Sequence, residues 1–409
     1  MTIKKISKQN SIYLDFAAAT PVDATVFSKM APFWENEFGN AHSLHKKGVN
    51  AEYALSDARK KIAQNLSARP QEIIFTSGTT ESNNLAILGT VAQWQKNNKG
   101  NKNRPHIITT VLEHSAVLGP VKELEQQGCE ITIIPVDESG IVDPKEIKKA
   151  IKKNTILISV IYANNVIGTV QPIKEIAKEI RHFKKMNATR QTLHDTQYPL
   201  FHTDAAQAIN YLNINVLQLG VDMMSFGGAK IYGPKGIGIL YKKSNVDISP
   251  ITFGGGHEYG LRPGTEALPL IVGISEALEI SSKMKEREVK RLIAIRDYFI
   301  KNLLKDFSNI KLNGDAINRL PNNVHISVSG IDSEVLVLEL DAKGIYASSR
   351  SACKSGEEED LLSTFISTEN NTGQLRFSLG RTTTKKDIIY TLKILKQIIK
   401  KYDKVKMFL

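Results

Sequence analysis

The sequence has 409 residues, of which 41% are hydrophobic and 23% are charged, and this composition excludes a disordered chain, a collagen and a long coiled coil. The 54 Lys and Arg residues against 42 Asp and Glu residues give a formal net charge of +12, which permits binding to nucleic acid, an anionic membrane or an acidic partner. Because the lysines are spread through nearly every segment, a solvated basic surface is the preferred interpretation.

The two cysteines, Cys129 and Cys353, are too few for a disulfide framework or a cysteine-rich metal site. The N-terminal segment contains no apolar stretch of signal-peptide length. The apolar run ALPLIVGI is far shorter than the roughly 20 residues that span a membrane. We therefore expect a soluble, cytoplasmic protein without a membrane span.

Apolar runs alternate with helix-like segments in the first two thirds of the chain. Residues 49–66 repeat apolar side chains at helical spacing, and a β-branched run, EIIFTSG, then ends in a glycine turn. Four further strand-like runs follow, namely HIITTVLEH, EITIIPVD, TILISVIYANN and PLFHTDAAQ. Buried strands separated by helices are typical of βαβ units, in which helices cover both faces of a mostly parallel sheet. The sequence therefore predicts an α/β fold.

The pattern changes after RPGTEALPL, which predicts a domain boundary near residue 262. A long charged helix, a strand (NNVHISVSG), a helix (SEVLVLELDAK), a second strand and a final helix follow. The final helix carries four apolar residues on one face, Ile388, Leu392, Leu395 and Ile399. Attachment to a membrane surface is one interpretation of this helix, but a packed helix with a solvated face is preferred.

Polar residues follow the predicted strands at their carboxyl ends, where parallel sheets bind ligands. They are Thr80, His114, Asn164, Asn165, Asp204 and Gln207. The turn FTSGTTE leads from a strand into a helix, whose start can bind phosphate. Lys230 follows in a glycine-rich frame, MMSFGGAKIYGPKGIGILY. Pyridoxal phosphate requires such a turn for its phosphate, a carboxylate such as Asp204 for its ring nitrogen and a lysine for its aldehyde.

A series of motifs in chain order carries a resemblance to a known family. The motifs are YLDFAAATPVD, FGNAHSLH, FTSGTTESNNLAI, LEHSAV, NNVIGTVQPI, HTDAAQ, VDMMSFGGAKIYGPKGIGILY, GGGHEYGLRPGT, SSRSAC and RFSLGRTT. On these motifs, from about residue 12 to about residue 392, the chain resembles the NifS/IscS-like cysteine desulfurases. The resemblance implies a homodimeric fold-type-I pyridoxal-phosphate enzyme, similar to aspartate aminotransferase. It implies a large domain, 15–262, with a mostly parallel seven-stranded sheet, and a smaller α+β domain, 263–409, joined by residues 1–14.

The resemblance also implies a role for each matching residue. Lys230 would form the Schiff base with the cofactor, Asp204 would pair with the pyridinium nitrogen, and His114 would stack on the ring. Thr80, together with Thr265 of the opposite subunit, would contact the cofactor phosphate. Asn165 and Gln207 would contact its phenolic oxygen. Arg376 would bind the substrate carboxylate with its planar guanidinium, assisted by Asn165.

The two cysteines have different surroundings in the sequence. Cys353 lies in a polar segment between Arg350 and Lys354, whose positive charges favour its thiolate. Cys129 lies in an apolar strand and is predicted to be buried and inert. The resemblance implies that Cys353 takes the sulfur of L-cysteine as a persulfide and that alanine is released. Iron–sulfur cluster scaffolds, tRNA-thiolation enzymes and carrier proteins are the implied sulfur acceptors.

Four residues depart from the family's pattern and leave alternatives open. The family reads Ser-Phe-Ser-Gly-His before the lysine, and its second serine and its histidine contact the cofactor phosphate. This chain has Gly227 and Ala229 at those places, Val166 in place of an acidic residue and Arg350 in place of a glycine. The lost phosphate donors motivate one alternative, a scaffold that binds sulfur carriers without turnover. The others are a lyase acting on selenocysteine or cysteine sulfinate, an aminotransferase, and a nucleic-acid-binding protein.

Overall fold

The structure is a computed structural model, and it describes residues 11–100, 103–187, 198–349 and 372–406. By their packing these residues form two compact units. The large unit contains the described residues of Thr20–Asn164 and Val170–Lys285. The small unit contains those of Met1–Ala19, Asn165–Thr169 and Glu286–Leu409. The sequence predicts a domain boundary near residue 262. The two units are defined by packing alone, and this division does not test the domain boundary, which stays a prediction.

A seven-stranded sheet forms the centre of the large unit. In spatial order its strands are β2 (Ile73–Thr76), β8 (Gly238–Lys242), β7 (Met223–Gly227), β6 (Leu200–Asp204), β5 (Thr155–Ser159), β3 (His106–Thr110) and β4 (Glu130–Ile134). Strand β8 is antiparallel to both of its neighbours, and the strands from β7 to β4 are parallel. The predicted α/β fold with a mostly parallel seven-stranded sheet is confirmed.

The large unit also contains helices, several of which pack on this sheet through apolar faces. They are α1 (Ala24–Met30), α2 (Pro32–Glu35), α3 (Lys46–Leu66), α4 (Thr79–Asn97), α5 (Ser115–Gln126), α6 (Pro144–Ala150), α7 (Ile173–Asn187), α8 (Val216–Leu219) and α9 (Leu268–Asp306), whose last part belongs to the small unit. Leu85 of α4 and Val117 of α5 join Ile107 of β3 and Leu157 of β5 in one buried cluster. This cluster explains why the strand-like runs are apolar without alternation.

The small unit contains two sheets of its own. Strands β12 (Thr372–Ser378), β10 (Asn323–Ser329) and β9 (Ile310–Leu312) form an antiparallel sheet, and β1 (Ile12–Tyr13) pairs with β11 (Ile345–Tyr346) in parallel. Helices α10 (Ser333–Asp341) and α11 (Lys385–Lys406) complete the unit.

The last helix, α11, is packed rather than free. It buries Ile388, Leu395 and Ile399 almost completely, as the sequence pattern predicts for a packed helix. Within the described ranges, no helix has both the length and the apolar character needed to cross a membrane.

Candidate active site

Lys230 ends a short 3-10 helix, Gly228–Lys230, that follows directly on β7. Thr20 fixes the backbone on both sides of this lysine. Its hydroxyl donates to the Ala229 carbonyl over 3.0 Å and accepts from the Tyr232 amide over 2.8 Å. The side chain of Lys230 is half-buried. A threonine distant in sequence therefore holds the lysine's main chain in place.

Glycines on both sides of Lys230 allow the start of α4 to approach the ends of β7 and β8. A Cβ built on Gly238 would lie 2.4 Å from the carbonyl carbon of Gly78, which no side chain tolerates. A Cβ built on Gly227 would lie 2.8 Å from Thr79 Oγ1. The place of the family's second serine is thus partly occupied by Thr79, and a serine at 227 would require the Thr79 side chain to rotate.

The N-terminus of α4 offers backbone donors beside the Lys230 segment. Its N-cap residue, Gly78, has no side chain and so provides no capping hydrogen bond. The amides of the first turn and the dipole of this 19-residue helix favour an anion at this end. Thr80 lies in this turn with an exposed side chain.

Asp204 is the last residue of β6 and is 3% exposed. Its Oδ2 accepts a 2.7 Å hydrogen bond from Asn83 Nδ2, and its Oδ1 accepts one from the Ala206 amide. Asn83, on the buried face of α4, has no counterpart among the predicted site residues. The signal for it was present in the sequence, since one asparagine of SNNLAI falls on the same helix face as buried apolar residues.

His114 is brought close to both Asp204 and Lys230. It is the N-cap residue of α5, and its Nδ1 accepts from the Ala116 amide over 3.1 Å. Burial lowers the pKa of His114; the negative charge of Asp204 opposes this shift, and the positive charge of Lys230 adds to it. The imidazole is therefore neutral at neutral pH. The charges of Asp204 and Lys230 both act on its pKa.

Glu113, the residue before His114, is a buried carboxyl group that sequence reasoning missed. Its Oε1 accepts 2.8 Å hydrogen bonds from the Thr110 hydroxyl and the Ile161 amide. Its Oε2 has no partner among the described residues. Burial raises the pKa of Glu113 to about 8; these two hydrogen bonds oppose the shift, and the charge of Asp204 adds to it. At pH 7 Glu113 is therefore mostly protonated.

The protonation of Glu113 predicts a dependence of stability on pH. Its pKa is raised in the folded chain to about 8 from 4.5, so the unfolded chain releases this proton first as pH rises. The free energy of unfolding should therefore fall across this window, by at most roughly 1.4 kcal/mol per pH unit. Glu113→Gln keeps the acceptor oxygen but does not titrate, so its thermal midpoint should depend less on pH than that of wild type. Glu125→Gln, an exposed residue of α5, is the matched control. Parallel pH curves for wild type and Glu113→Gln would contradict the assignment.

Three buried, hydrogen-bonded polar side chains connect neighbouring strands of the sheet, and the central one, His202, lies two residues before Asp204 in sequence. His202 of β6 contacts Ser159 Oγ of β5 through Nδ1 and Ser225 Oγ of β7 through Nε2, at 2.8 and 3.0 Å. Burial lowers the pKa of His202 to about 3, so it stays neutral. Both ring nitrogens have partners, which lets a polar residue lie inside the sheet without an unpaired buried group.

Two further predicted residues of the large unit lie in turns and loops. Gln207 is half-buried in the turn after β6. Thr265 is exposed in the loop before α9, next to Gly264, whose φ of +105° is easy for glycine alone. The structure thus brings Lys230, Asp204 and His114 together, whereas Thr265 presents its side chain to solvent.

Arg376 and Asn165 belong to the small unit. Arg376 lies on β12, is 1% exposed, and donates from Nη2 to Asp15 Oδ1 over 2.7 Å. Its Nη1 donates to the Asn165 carbonyl over 3.1 Å, and its Nε has no partner among the described residues. Asp15 was not predicted. It fixes one edge of the guanidinium and leaves a donor for a carboxylate ligand.

The remaining predictions concern the cysteines and the departures from the family's pattern. Cys129 is buried, and burial raises the pKa of its thiol, as expected for the inert cysteine. Val166 is 5% exposed, which is consistent with an apolar residue there. Cys353 and Arg350 lie outside the described residues.

The residues of the large unit fit pyridoxal phosphate. A buried carboxylate, a half-buried lysine, a neutral histidine and an uncapped helix start are the groups that its ring nitrogen, aldehyde, ring face and phosphate require. The fit is incomplete at the phosphate, where Gly227 and Ala229 supply no side-chain donors.

The chain is similar to known proteins over nearly its whole length. The Aminotransferase class-V family matches residues 12–390. Cysteine desulfurase IscS of Dictyoglomus turgidum is 42% identical over 396 residues, which cover 96% of this chain and 95% of that protein. Cysteine desulfurase IscS of Methanosarcina thermophila is 41% identical over 405 residues, covering 97% and 94%.

Solved structures are similar over the same length. A NifS-like protein superposes with a TM-score of 0.84 at 33% identity and covers 98% of this chain and 100% of its own. SspA in complex with cysteine superposes with a TM-score of 0.75 at 33% identity, covering 90% and 99%. The predicted fold-type-I architecture is therefore confirmed. The chain belongs to the class-V aminotransferase family and, within it, to the cysteine desulfurases.

Proposed function

We propose that the protein uses pyridoxal phosphate to remove sulfur from L-cysteine, giving L-alanine and a persulfide on Cys353. The observation that carries this proposal is the convergence of Lys230, Asp204 and His114 in the large unit, where the pKa of His114 responds to both charges. The similarity to desulfurases over nearly the whole chain supports the choice of reaction. Among the structural relatives, SspA is described in complex with cysteine.

The chain's own residues would hold the cofactor from several sides. When bound, pyridoxal phosphate supplies an electron sink for the pair released from the substrate's Cα–H bond. Asp204, which accepts a hydrogen bond from Asn83 at its Oδ2, would keep the ring nitrogen protonated. His114 would cover the ring face as a neutral imidazole. The remaining proposed contacts come from Thr80, Gln207 and Asn165, and from Thr265 of the opposite subunit.

The proposed steps assign separate tasks to Lys230, Arg376 and Cys353. The Lys230 amine would take the proton from the substrate Cα and hold it at Nζ. Arg376 binds the substrate carboxylate with the donors that Asp15 and the Asn165 carbonyl leave open. The Cys353 thiolate attacks the substrate sulfur, so that an S–S bond forms as the C–S bond breaks.

A homodimer is the proposed assembly. The segment from residue 27 to residue 53 exposes many large apolar side chains: Phe27, Trp34, Phe38, Leu44, Val49 and Tyr53. Such a concentration is unusual on the surface of a monomer and fits an interface with a second copy of the chain. The persulfide would then pass to acceptor proteins, either iron–sulfur scaffolds or thiolation enzymes and carriers. A cytoplasmic location stays a prediction from the sequence.

A comparison of substrates separates the proposed reaction from its alternatives. The cofactor-loaded protein should release alanine from L-cysteine and accumulate persulfide. A lyase for selenocysteine or cysteine sulfinate would instead prefer those amino acids, and an aminotransferase would require a keto-acid acceptor. Alanine release from cysteine sulfinate alone would contradict the proposal.

Because Ala229 supplies no side-chain donor to the cofactor phosphate, a variant that restores a donor there should bind pyridoxal phosphate more tightly. Ala229 is half-buried and takes the place of the family's histidine. Ala229→His should restore one hydrogen bond to a charged group, about 1.5 to 3 kcal/mol, and so tighten the Kd for pyridoxal phosphate about 10- to 150-fold. Ala229→Phe, of similar size but without a donor, is the control. Equal Kd values for both variants would contradict this role, and a wild-type chain that binds no cofactor would favour the inactive scaffold.

A further inference from the structure

Three side chains of the large unit that are able to bind a metal ion meet in one cluster. They are His42 in the loop before α3, His257, and Glu266 in the loop before α9. One ligand atom from each lies within 4.8 Å of the other two. His42 Nε2 and Glu266 Oε1 are 2.9 Å apart, and the two imidazole rings are in edge contact with centroids 4.8 Å apart.

Glu266 carries an unpartnered oxygen in this cluster. Its side chain is 6% exposed, and Oε2 has no hydrogen-bond partner among the described residues. The nearby guanidinium of Arg59 forms two hydrogen bonds with the other buried carboxylate, Glu258, at 2.9 and 2.6 Å. A buried carboxylate is costly unless a cation or donors compensate it. Because Arg59 is hydrogen-bonded to Glu258, the Oε2 atom of Glu266 remains able to bind a cation.

We infer that His42, His257 and Glu266 form a binding site for a divalent first-row transition-metal ion such as Zn²⁺. Two imidazoles and one carboxylate are a known ligand set for zinc, with water at the fourth position. Tetrahedral zinc with bonds of about 2.0–2.2 Å separates its ligand atoms by about 3.3 Å. The 2.9 Å between His42 Nε2 and Glu266 Oε1 would have to open by a few tenths of an ångström, and ligand atoms up to 4.8 Å apart would have to approach by up to about 1.5 Å. In the single chain the His42 side chain is 59% exposed.

The neighbours of two ligands hold their main chain in place. The His42 amide donates to Asn40 Oδ1 over 2.9 Å. Glu258, which follows His257, is anchored by Arg59 and by the Phe75 amide. A bound ion would therefore join the loop before α3 to the glycine-rich loop before α9. Because only the folded chain presents this set of ligands, binding should raise the unfolding temperature.

Cobalt binding to the full-length, cofactor-loaded protein tests this site without reference to turnover. After removal of metal with a chelator, and with no thiol present, titration with Co²⁺ should give one ion per chain and the visible absorption of four-coordinate cobalt. Zn²⁺ should displace it. His42→Ala and Glu266→Gln should each weaken Co²⁺ binding by more than about 100-fold. Loss of a group that only supports a metal ligand typically weakens binding by about 10- to 100-fold, so the larger effect identifies a direct ligand.

Two control variants separate this site from other ligands. His182→Ala removes an exposed histidine of α7 and should leave Co²⁺ affinity unchanged. Cys353→Ser should also leave it unchanged, which excludes the reactive thiol as the ligand. Retained cofactor absorption in each variant shows that the chain is folded. Absence of a stoichiometric Co²⁺ site, wild-type affinity in His42→Ala or Glu266→Gln, or loss of binding in Cys353→Ser would overturn the inference.

Discussion

Lys230→Ala should lower the rate of alanine release from L-cysteine by at least about 10⁴-fold, because the variant loses both the covalent attachment of the cofactor and the group that moves the Cα proton. The main chain at this position is held by Thr20 through the Ala229 carbonyl and the Tyr232 amide, so the fold should survive the loss of the side chain. The rate is measured as alanine formed with saturating pyridoxal phosphate, and the thermal midpoint reports the fold.

Lys235→Ala is the matched control for this experiment. Lys235 lies in the same glycine-rich segment but is exposed. Its replacement should leave the rate within about twofold, as is usual for surface substitutions. A folded Lys230→Ala variant that retains more than a tenth of the wild-type rate would contradict the role assigned to this lysine.

Cys353→Ser should abolish sulfur transfer while leaving cofactor binding intact. A serine hydroxyl is not ionised at neutral pH and is a far weaker nucleophile toward sulfur than a thiolate, so the persulfide should not form. Cofactor absorption and its response to added L-cysteine should persist, because Cys353 has no assigned part in binding the cofactor or the substrate. Persulfide is measured by thiol-specific labelling, and alanine by its own assay.

Cys129→Ala provides the comparison for the second cysteine. Cys129 is buried and its thiol pKa is raised, so this variant should still form persulfide. Wild-type persulfide and alanine yields in Cys353→Ser would contradict the proposed nucleophile, as would their loss in a folded Cys129→Ala variant.

Local patterns and strand order explain why much of the site could be predicted. Asp204 and His114 follow buried strands, and the carboxyl ends of parallel strands meet at one edge of a sheet. Most of the strands formed by apolar runs are buried, as their sequences predict. The meeting of these residues with Lys230 is therefore a consequence of the α/β fold that the sequence predicts.

The supporting residues were missed because their partners are distant in sequence. Thr20 contacts a carbonyl 209 residues away, and Asp15 contacts Arg376 across 361 residues. No local periodicity encodes such pairs. Glu113 was missed for a different reason, since an acidic residue beside a histidine predicts exposure unless the surrounding burial is known.

Asn83 shows the limit of assigning roles by motif. It lies two residues after the predicted phosphate-binding turn FTSGTTE, and its side chain donates to Asp204 at the end of β6. The helical spacing of α4 places it on the buried face, where a polar group needs a partner. A buried asparagine within an apolar helix face is thus a signal for a partner at the adjacent strand end.

The most direct test of the account is the intact mass of the cofactor-loaded protein after incubation with L-cysteine and no reductant, with the modified residue located by peptide mapping. We expect a gain of one sulfur atom, on Cys353. An unmodified chain despite bound cofactor, or a sulfur atom found on Cys129 instead, would contradict it.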